Sequence, residues 1–359
     1  MKIVLCTGGG DAPGLNAVIR SVVLAAVHRG WEVFGSRRGF GGFLGDARIV
    51  PLGVDEVSGI THLGGTIIGA SNRGDPYRWP QLQLDESWVE VDRSDEVVSS
   101  FNEWGFDALI VVGGDGTMRI ASGLGAKGIP IVGVPKTIDN DVTGTYVTFG
   151  FDTAVNIATD AIDKLHSTAQ SHERVFVVEL MGRHAGWIAL NAGLAGTADV
   201  ILIPEIRFDM DRVCDKIQQR EAMGKPFSIV VVAEGAVPKN GSLSVAEAAK
   251  EGGADRLGGI GEVVASHINK KTGKETRSLT LGHLQRGGPP TTFDRLLALR
   301  FGAAAVRAVQ ERKFGEMVAL VPPDVVTIPI SESVGIPKRV PLNGDTIQTA
   351  RDMGVSLGD

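Results

Sequence analysis

The chain has 359 residues, 43% of them apolar, which is enough for a large core and, at roughly 100–200 residues per domain, for two lobes. Thirty-six basic residues against 42 acidic ones leave a net charge of −6, which argues against nucleic acid or a membrane surface as the main partner. Cys6 and Cys214 are isolated in sequence, so neither a disulfide framework nor a zinc site is expected, and a cytoplasmic setting fits. The apolar start, Met1 to Cys6, is too short for a signal peptide, and no run approaches the roughly 20 apolar residues that cross a bilayer.

A first strand is predicted at 3–6. It runs into Thr7-Gly-Gly-Gly-Asp-Ala-Pro-Gly14 and a helix starting near Pro13, with Val18, Val22 and Ala26 on one side. Glycines let the main chain approach a phosphate, Pro suits a first helical turn, and the helix N-terminus is electropositive. The spacing is neither G-x-G-x-x-G nor Walker-like, so this motif alone supports an anion site or a plain strand-to-helix turn. After a strand at 32–35, Leu63-Gly-Gly-Thr-Ile-Ile-Gly-Ala-Ser-Asn-Arg73 forms a second candidate cradle. Its Arg73 is set to grip a phosphate, against the commoner fate of a solvated surface arginine. Residues 75–95 read as an excursion at a lobe edge, with no chemistry assigned.

Strands at 109–112 and 131–134 carry the most informative residues, Leu109-Ile-Val-Val-Gly-Gly-Asp-Gly-Thr117 and Pro135-Lys-Thr-Ile-Asp-Asn-Asp141. An open α/β sheet binds ligands beyond the carboxyl ends of its strands, so neighbouring strands would bring Asp115, Asp139 and Asp141 to one crevice suited to a metal-bound polyphosphate. Taken singly, Gly-Asp-Gly and Asp-Asn-Asp are ordinary turn chemistry. Residues 144–151 separate two strand-rich halves. A helix at 152–170 follows, with Ala154, Ala158, Ala161 and Leu165 on its apolar face, widened by Val155 and Ile162. Further strands fall at 175–179, 200–203 and 229–233. The alternation of strand and helix predicts an α/β chain with mainly parallel sheets.

Five motifs in order, Gly8-Gly-Gly-Asp-Ala-Pro-Gly-Leu-Asn16, Gly113-Gly-Asp-Gly-Thr117, Pro135 to Asp141, Met181-Gly-Arg183 and Leu281-Gly-His-Leu-Gln-Arg-Gly-Gly288, make the chain resemble a 6-phosphofructokinase. The match runs from the first strand to the helix after Arg295, and the C-terminal end fits only vaguely. The resemblance implies two Rossmann-like lobes with the active site in the cleft between them. A donor-binding lobe would comprise 1–150 plus about 285–335, and a sugar-phosphate lobe 151–284 plus about 336–359. It further implies phosphoryl transfer from ATP to the 1-hydroxyl of fructose 6-phosphate, with Mg²⁺ as cofactor, in a homodimer or homotetramer whose sugar site is shared between subunits.

Carried over by residue, the resemblance makes Asp139 the general base, Thr137 and Arg183 stabilisers of the moving phosphoryl group, and Asp115 the Mg²⁺-linked carboxylate. Asp141 would lie near metal and sugar. Gly10, Arg73, Gly116, Thr117 and Lys136 would face the donor, although the stretch from Gly69 to Arg73 is one residue longer than in common bacterial members. Met181, Gly182, Glu234, His283 and Arg286 match sugar-phosphate positions, and Arg174 and Arg277 match arginines reaching in from a neighbouring subunit.

The donor markers disagree. Gly116 is the residue usual in ATP-using members, whereas Lys136 is usual in pyrophosphate-using ones, and exclusion of the nucleotide acts through the former. Ile120 stands where many ATP-using members have Gly near the adenine. Arg20 matches one effector-site arginine but Leu24 replaces a second, which implies weak or absent effector control. A pyrophosphate-dependent enzyme, a kinase of the NAD or lipid type, and a non-catalytic sugar-phosphate sensor are the competing readings. Gly113 to Thr117 also occurs in the NAD and lipid kinases, but those do not account for Leu281 to Gly288. A sensor need not retain Asp115, Asp139 and Arg183 together.

Overall fold

A computed structural model describes all residues except Arg73, Leu84, Glu86 and 248–255, together with the side chains of Glu247 and Arg256. Arg73, a candidate donor contact, thus lies outside the described residues. In chain order the first half contains β1 (Lys2–Thr7), α1 (Leu15–Val27), β2 (Glu32–Ser36), β3 (Ile49–Pro51), β4 (Trp79–Leu82), β5 (Trp88–Val91), α2 (Ser94–Glu103), β6 (Ala108–Gly113), α3 (Asp115–Ala126), β7 (Ile131–Thr137) and β8 (Phe149–Gly150). The chain continues with α4 (Phe151–His172), β9 (Val175–Leu180), α5 (Trp187–Ala195), β10 (Val200–Leu202), α6 (Met210–Ala222), β11 (Ser228–Ala233), β12 (Val245–Glu247), β13 (Arg256–Leu257), α7 (Ile260–Thr272) and β14 (Thr276–Thr280). Then come α8 (Thr292–Gln310), β15 (Glu316–Val321), β16 (Asp324–Pro329), α9 (Ile330–Ser333) and α10 (Asp345–Asp352).

Two sheets organise the chain, and it is an α/β protein with mainly parallel strands. The larger runs β16-β15-β7-β6-β1-β2-β3, with β8 beside β7, and the smaller runs β10-β11-β9-β14. The interior pairs are parallel. The sheets are mainly parallel as expected, and the exceptions lie at the edges of the larger sheet, where β3 and β16 run antiparallel to their neighbours. An edge strand reached by a short connection has no crossover helix to reverse it. Residues 75–95 contain β4 and β5, which pair with each other as a separate antiparallel ribbon.

Both sheets are covered on both faces, so their central strands read as unbroken apolar runs. In β1, Ile3 and Leu5 join the core under α1 and α8, while Val4 and Cys6 join the core on the opposite face with Phe101 and Met118. In β11, Ile229, Val231 and Ala233 face one way, and Val230 and Val232 the other. Cys6 and Cys214 are buried free thiols. Among the described residues no helix is long and apolar enough to cross a membrane.

Strand order fixes where a ligand can enter. In the larger sheet the chain passes from β1 to β2 on one side and later to β6 on the other, which opens a crevice beyond the carboxyl ends of β1 and β6. In the smaller sheet β14 joins β9 on the side away from β11, opening a second crevice. Residues 144–151, expected only to separate two halves, contain β8 and lead into α4. After β16 the chain crosses over, and Val340, Ile347, Ala350 and Leu357 pack into the core around β9 and β11.

Candidate active site

The turn after β1 and the turn after β6 are held together by one side chain. A Cβ on Gly8 would lie 2.7 Å from Thr117, and one on Gly113 would lie 2.3 Å from it. Only glycine at both positions lets Thr117 wedge between the turns, with Gly8 N donating to Val112 O at 2.9 Å. Thr117, a candidate donor contact, is buried between these two turns. Beside them opens a cleft of about 300 Å³ lined by Gly9, Gly10, Asp11, Gly65, Thr66, Ala70 and Asn72.

Lys136 lies beneath the first glycine turn and is 3% exposed. Its ammonium donates to the carbonyls of Gly8, at 3.2 Å, and of Gly10. Burial, with the charge of Arg286 adding to it, pushes this ammonium down to about 8. Gly116, in the first turn of α3, is exposed, and a Cβ there would meet nothing within 4 Å. Ile120 turns away into the core with Phe101 and Leu124. It does not protrude into the cleft.

β7 carries Pro135, Lys136 and Thr137 within the strand and delivers the turn Ile138 to Asp141 at its carboxyl end. Asp139 is 4% exposed, its N–H donates to Thr137 Oγ1 at 3.0 Å, and its Oδ1 is buried with no hydrogen-bond partner among the described residues. Burial raises its carboxyl, while the charges of Arg286, Arg183 and Lys136 pull it down. Burial and the neighbouring Asp139 push Asp141 up to about 6, and Asp115 adds a smaller repulsion. The three carboxylates therefore do converge on one crevice. Asp115 is half-buried, its Oδ1 accepting from Gly335 N at 3.2 Å.

The smaller sheet supplies the opposite wall. After β9, Gly182 (φ 140°) and Arg183 (φ 49°) make a tight turn, and Glu234 at the end of β11 accepts from Arg183 N at 3.0 Å. A Cβ on Gly235 would lie 1.8 Å from Arg183 O, so the backbone approach behind Arg183 admits no side chain. Met181 is half-buried on the same turn. Arg286, at the end of the 3₁₀ turn Gly282–Arg286, reaches across and donates to Asp11 O at 2.9 Å. His283 stands exposed on that turn. Thus Gly10 lies against both Lys136 and Arg286, and the charges of Arg286, Arg183 and Lys136 all act on Asp139.

Arg174 and Arg277 are not brought into it. They flank Glu275, at 2.8 and 2.6 Å, at the opposite ends of β9 and β14 from the cleft. At about 3.3 Å per residue, the length of β9 alone sets Arg174 roughly 20 Å from Met181.

Sequence motifs do not flag Asn140 or Lys338, yet both matter to the geometry. Asn140 adopts φ 52°, a left-handed conformation that Asn tolerates better than most residues, and its Oδ1 accepts from Thr148 N and Lys338 Nζ. The middle Asn of Asp-Asn-Asp was the one local signal available for this. Lys338 had none.

A sequence profile of the family described as Phosphofructokinase matches residues 2–309. An ATP-dependent 6-phosphofructokinase of Chloroflexus aggregans is 52% identical over 361 aligned positions, spanning 100% of this chain and 98% of the relative. A pyrophosphate–fructose 6-phosphate 1-phosphotransferase of Amycolatopsis methanolica is 50% identical over 345, spanning 95% of this chain and 96% of the relative. Among solved structures, Pichia pastoris phosphofructokinase in the T-state overlays 98% of this chain with a TM-score of 0.79 at 30% identity. This chain spans 36% of that longer one. A cleft built from the family's motifs, a profile covering most of the sequence and relatives at 50% and 52% identity together place this chain in the phosphofructokinase family.

Proposed function

We propose that the chain transfers the terminal phosphoryl group of ATP to the 1-hydroxyl of fructose 6-phosphate, a step of glycolysis that gives fructose 1,6-bisphosphate and ADP. The observation that carries this reading is Asp139, whose buried carboxylate has a partnerless oxygen and lies between the glycine cradle and the cations of the facing wall. In this reading Asp139 Oδ1 accepts the proton of the sugar hydroxyl as that oxygen attacks phosphorus, a role typically contributing about 10²–10⁴-fold. Burial raises Asp139 and three cations oppose the rise, which suits a base working near neutral pH. Arg183 and Thr137 stabilise charge on the transferring group, while Met181, Gly182, Glu234, His283 and Arg286 receive the sugar phosphate. Asp141 sits beside metal and sugar. Gly10 and Gly116 face the donor, and Lys136 shapes the cradle from below.

The residues fit Mg²⁺. Asp115, half-buried in the first turn of α3, offers a hard carboxylate oxygen that would help hold an ion otherwise bound by water and substrate phosphates. When bound, the ion neutralises charge on the donor phosphates. Residues 1–150 with about 285–335 act as the donor lobe and the remainder as the sugar lobe, in a cytoplasmic homodimer or homotetramer. Arg174 and Arg277, too far from their own cleft, serve the sugar site of a neighbouring subunit.

Pyrophosphate as donor is the second reading. It is favoured by Lys136 under the cradle, which adds positive charge without requiring a nucleotide. Coupled assays offering ATP and pyrophosphate separately decide between them, with the higher kcat/KM expected for ATP. In the same assay Asp139→Asn should lower kcat at least about a hundredfold with little change in sugar affinity. Near-normal turnover of that variant would remove Asp139 from the role.

A further inference from the structure

Residues 335–340 follow α9 and hydrogen-bond to two carboxylate-bearing residues of the site, Asp115 and Asp141. Gly335 N donates to Asp115 Oδ1 at 3.2 Å, Thr143 Oγ1 donates to Ile336 O, and Lys338 N donates to Asp141 O at 2.8 Å. On the far side Trp187 Nε1 donates to Lys338 O at 3.0 Å, and Val340 N donates to Glu205 Oε1 at 2.9 Å. Glu205 in turn accepts from Gly186 N at 3.0 Å. The segment thus ties the turns of the larger sheet to α5 of the smaller one.

Lys338 is the centre of this strap. Its ammonium donates to Asn140 Oδ1 at 3.0 Å, Thr145 O at 3.0 Å and Tyr146 O at 2.7 Å, and lies 5.5 Å from the Trp187 ring centroid. An ammonium has three protons, and all three are used. Lys338 therefore cannot reach a substrate while these bonds last. Among the described residues it forms no ion pair with a carboxylate. Its three acceptors are neutral, and all belong to residues 140–146, the stretch that follows the base.

Asn140 needs that support. A non-glycine residue with positive φ is strained and persists only where its surroundings over-determine it. Here Thr148 N and Lys338 Nζ grip its side chain, while Lys338 N holds the carbonyl of the next residue. Since Asn140 lies between Asp139 and Asp141, its φ sets how the two carboxylates diverge from the strand.

We propose that Lys338 is a positioning residue for phosphoryl transfer, holding the Asp139–Asn140–Asp141 turn in its left-handed form from across the cleft. The proposal rests on the assignment of Asp139 as the base. Small displacements of a reacting group cost rate far more than binding, so the effect falls on kcat.

The test uses the full-length enzyme with fructose 6-phosphate and the better donor, normalised to folded protein by circular dichroism and thermal midpoint. Lys338→Met should lower kcat at least tenfold with both KM values within about threefold, and Lys338→Arg should recover part of the loss. Asn140→Gly keeps the left-handed backbone but removes the acceptor, so it should also lower kcat. The double variant should be no slower than the slower single one, because both act through one turn. A lowered thermal midpoint with wild-type kcat per folded molecule, or strictly additive losses, would overturn the proposal. If Asp139→Asn is inactive while Lys338→Met is normal, only the positioning role fails. If Asp139→Asn is active, the assignment beneath it fails.

Discussion

Glu234 shows how one side chain records the cost of building this site. It is 9% exposed and keeps one backbone donor, Arg183 N. Burial pushes its carboxyl up to about 7; the Arg183 N–H opposes this, and the charges of Asp139 and Glu179 reinforce it. A free glutamate ionises near 4.3, so the folded chain binds this proton more tightly than the unfolded chain does. The sign follows from linkage: the stabilising contribution is complete below about pH 4.5 and is lost as pH rises through about 7. Glu234→Gln keeps an acceptor for Arg183 and removes the charge. It should therefore raise the thermal midpoint of the ligand-free protein at pH 8 and change it little at pH 5, an effect of about 1–3 kcal/mol at most. Melts at the two pH values check this, and an equal shift at both would mean that the carboxylate is not desolvated. Asp139 was legible from its place after an apolar strand, and Arg183 and Arg286 from the motifs around them. Lys338 was not, because it acts on a turn nearly 200 residues away through backbone carbonyls that leave no pattern in sequence.

Among the elements, those buried on both faces were the readable ones. β1, β6, β7, β9 and β11 are continuous apolar runs because helices cover both sides. β14, Thr-Arg-Ser-Leu-Thr, is a half-exposed edge strand with almost no apolar signal, and its role emerges only from pairing with β9. β16, an edge strand of the larger sheet, is likewise made only of exposed and half-buried residues. Helix α3 carries a separate lesson, since its first turn holds both the metal-linked candidate Asp115 and the donor marker Gly116. A Cβ at Gly116 would meet nothing within 4 Å, and an acidic side chain is favourable in the first turn of a helix, so Gly116→Asp should fold normally. It would place a second negative charge beside Asp115, facing the donor. We expect kcat/KM for ATP to fall at least tenfold, with the pyrophosphate reaction surviving or appearing, and the thermal midpoint unchanged. The ratio of the two efficiencies in wild type and variant measures it. A wild type that already prefers pyrophosphate would make the buried Lys136 the better marker.

On the scale of the whole molecule, the placement of Arg174 and Arg277 bears on assembly. Both sit at the starts of β9 and β14, paired to Glu275, whereas the sugar-phosphate candidates Met181, His283 and Arg286 follow the ends of the same strands. A parallel sheet cannot bring the two ends of one strand to one ligand. If all these residues serve a sugar phosphate, two copies must contribute to each site. In a two-fold pair each site then combines Asp139 of one protomer with Arg277 of its partner, and the partner's site does the reverse. Arg277→Ala should raise KM for fructose 6-phosphate by removing a guanidinium from the phosphate. Mixing it with Asp139→Asn chains, after dissociation and reassembly, should create hybrids with one intact site and one doubly altered site. Random 1:1 mixing makes about half of the pairs hybrid, so about a quarter of wild-type activity should return, measured at a sugar concentration where each variant alone is nearly inactive. Verified hybrids that regain nothing would place each sugar site within a single chain, leaving Arg174 and Arg277 as surface partners of Glu275.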